Sequence, residues 1–292
     1  MSKSGVHKGI QRYQCAACGK RFLATKTQID KTKIWKEYTQ GKQTYAQLAV
    51  KYNCAIKTIQ RKIDTVKPDR KTDFPNLVNV LMDTTYFGRR FGVMVFKDSL
   101  TGLILYKQYV QQETNKLYLQ GIEEIVRRGI KIQAIICDGR KGLFQLFDQD
   151  IPMQFCNFHQ VAIVRRYLTK KPKMQASKKL WEHTLLLVHT DKESFEGGLQ
   201  TWHNKWETFL NERKIDDNGS KRYVHRKLRS AYRSLKTNLP WLYTWYENIG
   251  LKIPNTTNAI DGHFADLKNK LRNHNGLSTA RKKKFIDEFF KA

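Results

Sequence analysis

The spacing of apolar positions switches from helical to extended and back along the chain. Lys31–Thr39, Tyr45–Tyr52 and Ala55–Val66 repeat apolar residues every three to four positions, which predicts three helices. Leu77–Met82 (LVNVLM), Phe91–Phe96 (FGVMVF) and Gly102–Val110 (GLILYKQYV) are instead β-branched or aromatic runs bounded by turn residues, and they predict strands. Asp98-Ser-Leu-Thr-Gly102 is the expected hairpin turn between the last two. Helical spacing returns over Thr114–Arg128, whose stripe of Leu117, Leu119, Ile122, Ile125 and Val126 ends at Gly129. A strand over Lys131–Cys137 (KIQAIIC), a short helix near Arg140–Phe147 and a short strand over Pro152–Cys156 follow. From Gln160 to Ile253 the pattern is almost wholly helical and rich in Trp, Leu and basic residues. The prediction is an α/β core joined to a helical block.

Composition narrows the class of partner. Hydrophobic residues make up 40% of the 292 positions, enough for a folded core and too many for a disordered basic tail. The 54 Lys and Arg exceed the 26 Asp and Glu, leaving a net charge of +28. A surplus of that size opposes folding by self-repulsion and implies an anionic partner, nucleic acid before an acidic membrane surface. The charge is unevenly spread: +12 over residues 1–73, +2 over 74–159, +10 over 160–255 and +4 over 256–292. The strand-rich block is thus close to neutral between strongly basic neighbours. No apolar run approaches the roughly 20 residues needed to cross a bilayer. The N-terminus has no apolar segment of a signal peptide. Five cysteines, odd in number and sparse, argue against a disulfide framework and for a reducing, cytoplasmic setting.

Candidate chemistry begins at Cys15-Ala-Ala-Cys18-Gly, a C-x-x-C spacing that places two thiolates on one knuckle turn suited to tetrahedral Zn²⁺. A full ribbon needs a second knuckle, and only His7 and Cys54 lie nearby as further ligands. Metal binding and a metal-free half-ribbon both stand. In TYAQLAVKYNCAIKTIQRKI the small Ala49 and the polar turn at Asn53 have the form of a helix-turn-helix. Its second helix carries Lys57, Thr58, Gln60, Arg61 and Lys62, side chains suited to phosphates and base edges. A three-helix bundle with a solvated basic face is the plainer reading, and the +12 charge favours DNA. Lys67–Pro75 reads as a linker.

Asp83 directly follows LVNVLM, and Asp138 directly follows KIQAIIC. Carboxylates at the ends of adjacent strands can lie side by side, a repulsive arrangement that a shared divalent cation relieves. Either Asp taken alone reads better as a turn residue. Further on, Asn255-Thr-Thr-Asn258-Ala-Ile-Asp261 opens a basic amphipathic helix, and Cys156-Asn-Phe-His159 follows the PMQF strand.

Taken in order over almost the whole chain, these motifs resemble the Mutator-type transposases of bacterial insertion sequences, which have a ribonuclease-H-like DDE catalytic domain. The resemblance implies that Asp83, Asp138 and Asp261 ligate two Mg²⁺ (or Mn²⁺) ions. It also implies that Cys156 and His159 serve beside the acids as structural residues, not as zinc ligands. Two departures stand out: the family's third acid is usually Glu, and related arms usually carry a further C-x-x-C upstream. A chain that begins after the true start, or a decayed copy, is expected to lack that knuckle.

The expected architecture is a partial zinc knuckle (1–24), a helix-turn-helix (25–66), a linker (67–76), the first part of a ribonuclease-H-like core (77–159), an all-helical insertion (160–255), and the third-acid helix with a basic C-terminus (256–292). Arg89, Arg90, Arg140, Lys141, Arg165 and Arg166 lie near the acids in sequence and are candidates to neutralise phosphates, though each alone reads equally as surface charge. The expected partners are double-stranded DNA, at element ends and target, and further copies of the chain. The activity implied is metal-dependent strand cleavage and transfer. A non-catalytic DNA-binding remnant and a cellular ribonuclease-H-like nuclease are the rival readings.

Overall fold

In the computed structural model, which describes residues 1–23, 29–68, 73–147, 150–215 and 217–291, three short strands come first: β1 (Ser2–His7), β2 (Ile10–Gln14) and β3 (Arg21–Leu23). Helices α1 (Lys31–Thr39), α2 (Tyr45–Lys51) and α3 (Ile56–Thr65) follow. Next come β4 (Leu77–Tyr86), β5 (Gly92–Asp98), β6 (Ile104–Val110), α4 (Asn115–Arg127), β7 (Lys131–Cys137) and β8 (Met153–Phe155). The remainder is α5 (Asn157–Leu168), α6 (Gln175–Leu185), α7 (Lys192–Asn211), β9 (Arg213–Ile215), β10 (Lys221–Tyr223), α8 (Arg226–Leu242), α9 (Thr244–Glu247), α10 (Asn258–Arg272) and α11 (Thr279–Phe290). The chain divides into two compact units, one of residues 1–69 with 269–289 and one of 70–268 with 290–292. Part of the expected linker, residues 69–72, lies outside the described residues.

The larger unit is built on a five-stranded sheet in the order β6-β5-β4-β7-β8. β4, β5 and β6 pair antiparallel, while β4–β7 and β7–β8 pair parallel. This mixed sheet with its helices fits the ribonuclease-H-like core that the family resemblance implied. Alternation along β4 sends Val78, Val80 and Met82 to one face, where Tyr118, Ile122 and Ile125 of α4 cover them. Gly121 permits that close fit, since a Cβ there would stand 2.0 Å from the Phe96 ring. Leu81, Ala134 and Ile136 face the other way and pack on Ile253, Trp245 and Leu251. The buried Asn79 seals that face by donating its amide to the Leu251 carbonyl at 2.8 Å. Helices α5 to α8 form a third apolar cluster, which reaches the sheet through Phe155.

Three expectations need correction. β4 runs on to Tyr86, so Asp83 lies inside the strand. After β7 ends, β5 continues the pairing, matching Asp83 to Val95 and Tyr86 to Gly92. Residues 140–147 make turns instead of a helix, with Gly142 at φ +77°. The insertion is not all-helical, because β9 and β10 form an antiparallel hairpin within it. The connection between Ile215 and Lys221 includes Gly219 at φ +74°, a left-handed backbone that glycine adopts without strain.

In the smaller unit β1, β2 and β3 form an antiparallel sheet. A capping box at Thr44 and Gln47 starts α2, and the Asp30 carboxylate caps α1. Tyr38 of α1 is fully buried beside His274 and Phe285, with ring centroids 4.1 and 5.9 Å away.

Candidate active site

Parallel pairing of β4 with β7 sets the site. The last matched residues are Met82 and Cys137, so Asp83 and Asp138 are the next positions on neighbouring strands. Both continue the parity of Leu81 and Ile136, which point to the sheet face opposite α4. β7 and β8 match Cys137 with Phe155, and the Cys156 N–H then bonds the Cys137 carbonyl at 2.9 Å. Asp83, Asp138 and Cys156 therefore stand abreast near the carboxyl ends of three parallel-paired strands, the usual place for function in such sheets.

Asp261 enters from the first turn of α10. The loop before α10 is tied to α5 at its start: the Asn157 N–H bonds the Asn255 carbonyl at 2.9 Å. Thr257 N–H donates to Cys156 Sγ at 3.3 Å. Thr257 Oγ1 lies 3.3 Å from that sulfur, 3.4 Å from Asp261 Oδ2 and 3.5 Å from His159 Nδ1. One hydroxyl proton serves one acceptor at a time, so Thr257 links all three groups without satisfying them all.

Charge at this place is costly. Burial lifts the Asp83 carboxyl to about 7, helped by repulsion from Asp138 and Asp261 and opposed by the Thr84 N–H and His159. Burial also lifts Asp138, with Asp261 adding to it and His159 and Arg140 opposing. Asp138 Oδ1 is buried with no hydrogen-bond partner. The Cys156 thiol is pushed up by burial, but hydrogen bonds from His159 and Thr257 outweigh this and hold it below its ordinary value. His159, bonded to that sulfur, rises to about 9. A cleft of about 380 Å³ opens beside Asp138 and His159, and Glu113, Arg140, Lys141 and Arg166 line it.

The structure thus brings Asp83, Asp138, Asp261, Cys156 and His159 into one electrostatic neighbourhood, with Arg140, Lys141 and Arg166 on the cleft. Arg165 is exposed on the same helix, outside the cleft lining, and Arg89 and Arg90 are exposed in the β4–β5 turn. Among the described residues no three His, Cys, Asp or Glu side chains are drawn to the spacing that holds a metal ion. The fit of a cation rests on the donors themselves: hard carboxylate oxygens that repel one another, with Asp138 Oδ1 buried and unpartnered.

No protein-family model and no curated protein matches the sequence. Among solved structures, the Drosophila P element transposase strand transfer complex is similar at 10% identity and a TM-score of 0.44, over 91% of this chain and 92% of that one. The catalytic core domain of HTLV-2 integrase in complex with magnesium overlaps 55% of this chain and 97% of that one, at 14% identity and a TM-score of 0.22. The simian T-cell lymphotropic virus intasome in complex with PP2A regulatory subunit B56 gamma overlaps 69% and 68%, at 13% identity and 0.21. Overlaps this loose leave the reading of the site to its own geometry.

In the smaller unit Cys15 and Cys18 occupy the β2–β3 connection, where Gly19 N–H bonds the Cys15 carbonyl at 2.9 Å. Backbone N–H groups of Cys18 and Ala17 point at the Cys15 sulfur and lower its pKa. Among the described residues neither His7 nor Cys54 joins the two thiols into a metal-holding group. The α2–α3 turn has Asn53 at φ +46°, and Ala49 is buried. Lys57 and Arg61 are exposed on α3, Thr58 and Gln60 half-buried, and Lys62 Nζ donates to the Ile29 carbonyl at 3.3 Å.

Two side chains escaped the sequence reading. Thr257 lay within the Asn255–Asp261 segment without a role of its own, and Glu113 stood in QQETN with no pattern to mark it.

Proposed function

We propose that this chain is a DDE-type DNA transposase, which cleaves and joins strands at the ends of a mobile element. The observation that carries the proposal is the register placing Asp83 beside Asp138, with Asp261 brought to them by α10. Asp83, Asp138 and Asp261 would hold two divalent cations. When bound, Mg²⁺ or Mn²⁺ supplies Lewis acidity for in-line displacement at phosphorus.

The chain's own groups perform the rest. Desolvation of Asp83 and Asp138 keeps these two poised as acceptors for a cation instead of solvated charges. Arg140, Lys141 and Arg166 line the cleft where they neutralise a phosphodiester backbone. His159, held cationic by the Cys156 thiol, lowers the repulsion among the carboxylates. Thr257 and Cys156 fix the start of α10 and so the position of Asp261. Binding of terminal inverted repeats falls to the α2–α3 pair, through Lys57, Thr58, Gln60, Arg61 and Lys62, with the basic segment 160–255, including Arg165, as a second contact. The knuckle at Cys15 and Cys18 would supply two of four ligands to a Zn²⁺ ion. Joining two DNA ends calls for at least two copies of the chain. Among the described residues no helix is long and apolar enough to cross a membrane.

The test is incubation with labelled DNA carrying the inverted repeats that flank the gene, in Mg²⁺ or Mn²⁺. Strand nicking that disappears in Asp83→Ala is expected. Binding without nicking, unchanged by that substitution, would assign a non-catalytic DNA-binding role. Preference for RNA–DNA hybrids would assign a cellular nuclease.

A further inference from the structure

We infer that Glu113 is a fourth carboxylate of this site and holds a divalent cation together with Asp138. The inference rests on the function proposed above and adds a ligand to it. Glu113 and Asp138 line the same cleft, with His159 and Arg166. Glu113 immediately precedes Thr114, whose hydroxyl caps α4 by accepting from the Leu117 N–H, so its backbone is anchored.

The side chain is anchored as well. Tyr118, fully buried, donates its hydroxyl to Glu113 Oε1 at 2.9 Å. The same hydroxyl lies 3.1 Å from Thr84 Oγ1, and Thr84 is the residue after Asp83. The Glu113 carboxylate is thereby tied to the strand that carries the first acid. Arg140 Nη1 makes a long ion pair with Glu113 Oε1 at 3.8 Å, while Arg140 Nε bonds Asn115 Oδ1 at 2.7 Å. A carboxylate whose side chain is only 20% exposed, lining the same cleft as Asp138 and repelled by it, gains stability from a cation the two acids share.

The alternative is that Glu113 only anchors Tyr118, a task an amide oxygen performs equally well. Glu113→Gln separates the two, since it keeps the acceptor and removes the charge. Mn²⁺ is titrated calorimetrically into the full chain without DNA. Glu113→Gln is expected to weaken Mn²⁺ binding by about tenfold or more, as Asp138→Asn does, with the metal-free melting temperature unchanged or higher. Tyr118→Phe, which keeps the charge, is expected to bind within about threefold of the native chain. Native affinity in Glu113→Gln alongside loss in Asp138→Asn overturns the inference and leaves the proposed function intact. A tenfold loss in Tyr118→Phe with native binding in Glu113→Gln overturns it in favour of the anchoring role. Absence of Mn²⁺ binding in the native chain overturns both.

Discussion

Thr257 and Cys156 lie 101 residues apart and meet twice, through the Thr257 N–H and hydroxyl, each 3.3 Å from the Cys156 sulfur. Both are fully buried. Thr257→Val keeps the shape and removes the hydroxyl, which costs about 1–2 kcal/mol in stability. Strand cleavage should fall further, by about tenfold, a loss of transition-state stabilisation near 1.4 kcal/mol beyond any unfolding. Thr257→Ser should restore both. Urea unfolding beside a cleavage assay separates the effects; equal cleavage by valine and native forms would remove the positioning role.

The raised carboxyls predict how stability varies with pH when no divalent cation is added. A folded-state value near 7 for Asp83 lies above its unfolded value, so the folded chain binds the extra proton. That contribution is complete below about pH 4 and is lost as pH rises toward 7, on the order of 3–4 kcal/mol for this one group. Asp138 and Glu113, also raised, add with the same sign. Asp83→Asn should flatten the slope and stabilise the protein at neutral pH. Thermal melts across pH 4–8 check this, and a native profile in the variant would contradict it.

Gly139 follows Asp138, and a Cβ there would stand 1.8 Å from the Phe155 ring. Phe155 is buried and stacked on Phe144, with centroids 5.6 Å apart, so the ring has little room to yield. Gly139→Ala should destabilise by about 1–3 kcal/mol through overpacking. It should also displace Asp138 and reduce cleavage more than DNA binding, as activity and gel-shift measurements would register.

In the smaller unit, Arg281 makes a two-pronged ion pair with Asp64, at 3.0 and 2.6 Å. Both side chains are at least a third exposed, which limits the pair to under about 1 kcal/mol. Phe285 is fully buried against Tyr38. Phe285→Ala should cost about 3–5 kcal/mol and abolish binding by the α2–α3 pair, while Arg281→Ala should leave it nearly intact. Unfolding and DNA-binding curves for the two variants decide the point.

Much of this was legible because it is local. Apolar runs mark β4, β7 and α4, since strand and helix periods depend on neighbouring residues alone. The same runs flag Asp83 and Asp138 as acids beside strands. The β9–β10 hairpin was also marked locally, by Gly219 in its connection, but lay inside a long helical pattern that masked it. Glu113 carried no such mark. Its relation to Asp138 and Thr84 exists only because α4 packs Tyr118 against β4.

The sequence by itself determined most of the element types and the uneven charge, and marked Asp83, Asp138 and Asp261 as candidate acids. Tertiary structure decided which acids are neighbours. Parallel pairing of β4 with β7 joins segments that no hairpin connects, and burial of both sheet faces permits only one register. It also decided that residues 269–289 belong with the first 69 residues. Tyr38 and Phe285 bury each other's apolar surface, a pairing that no periodicity within either segment specifies.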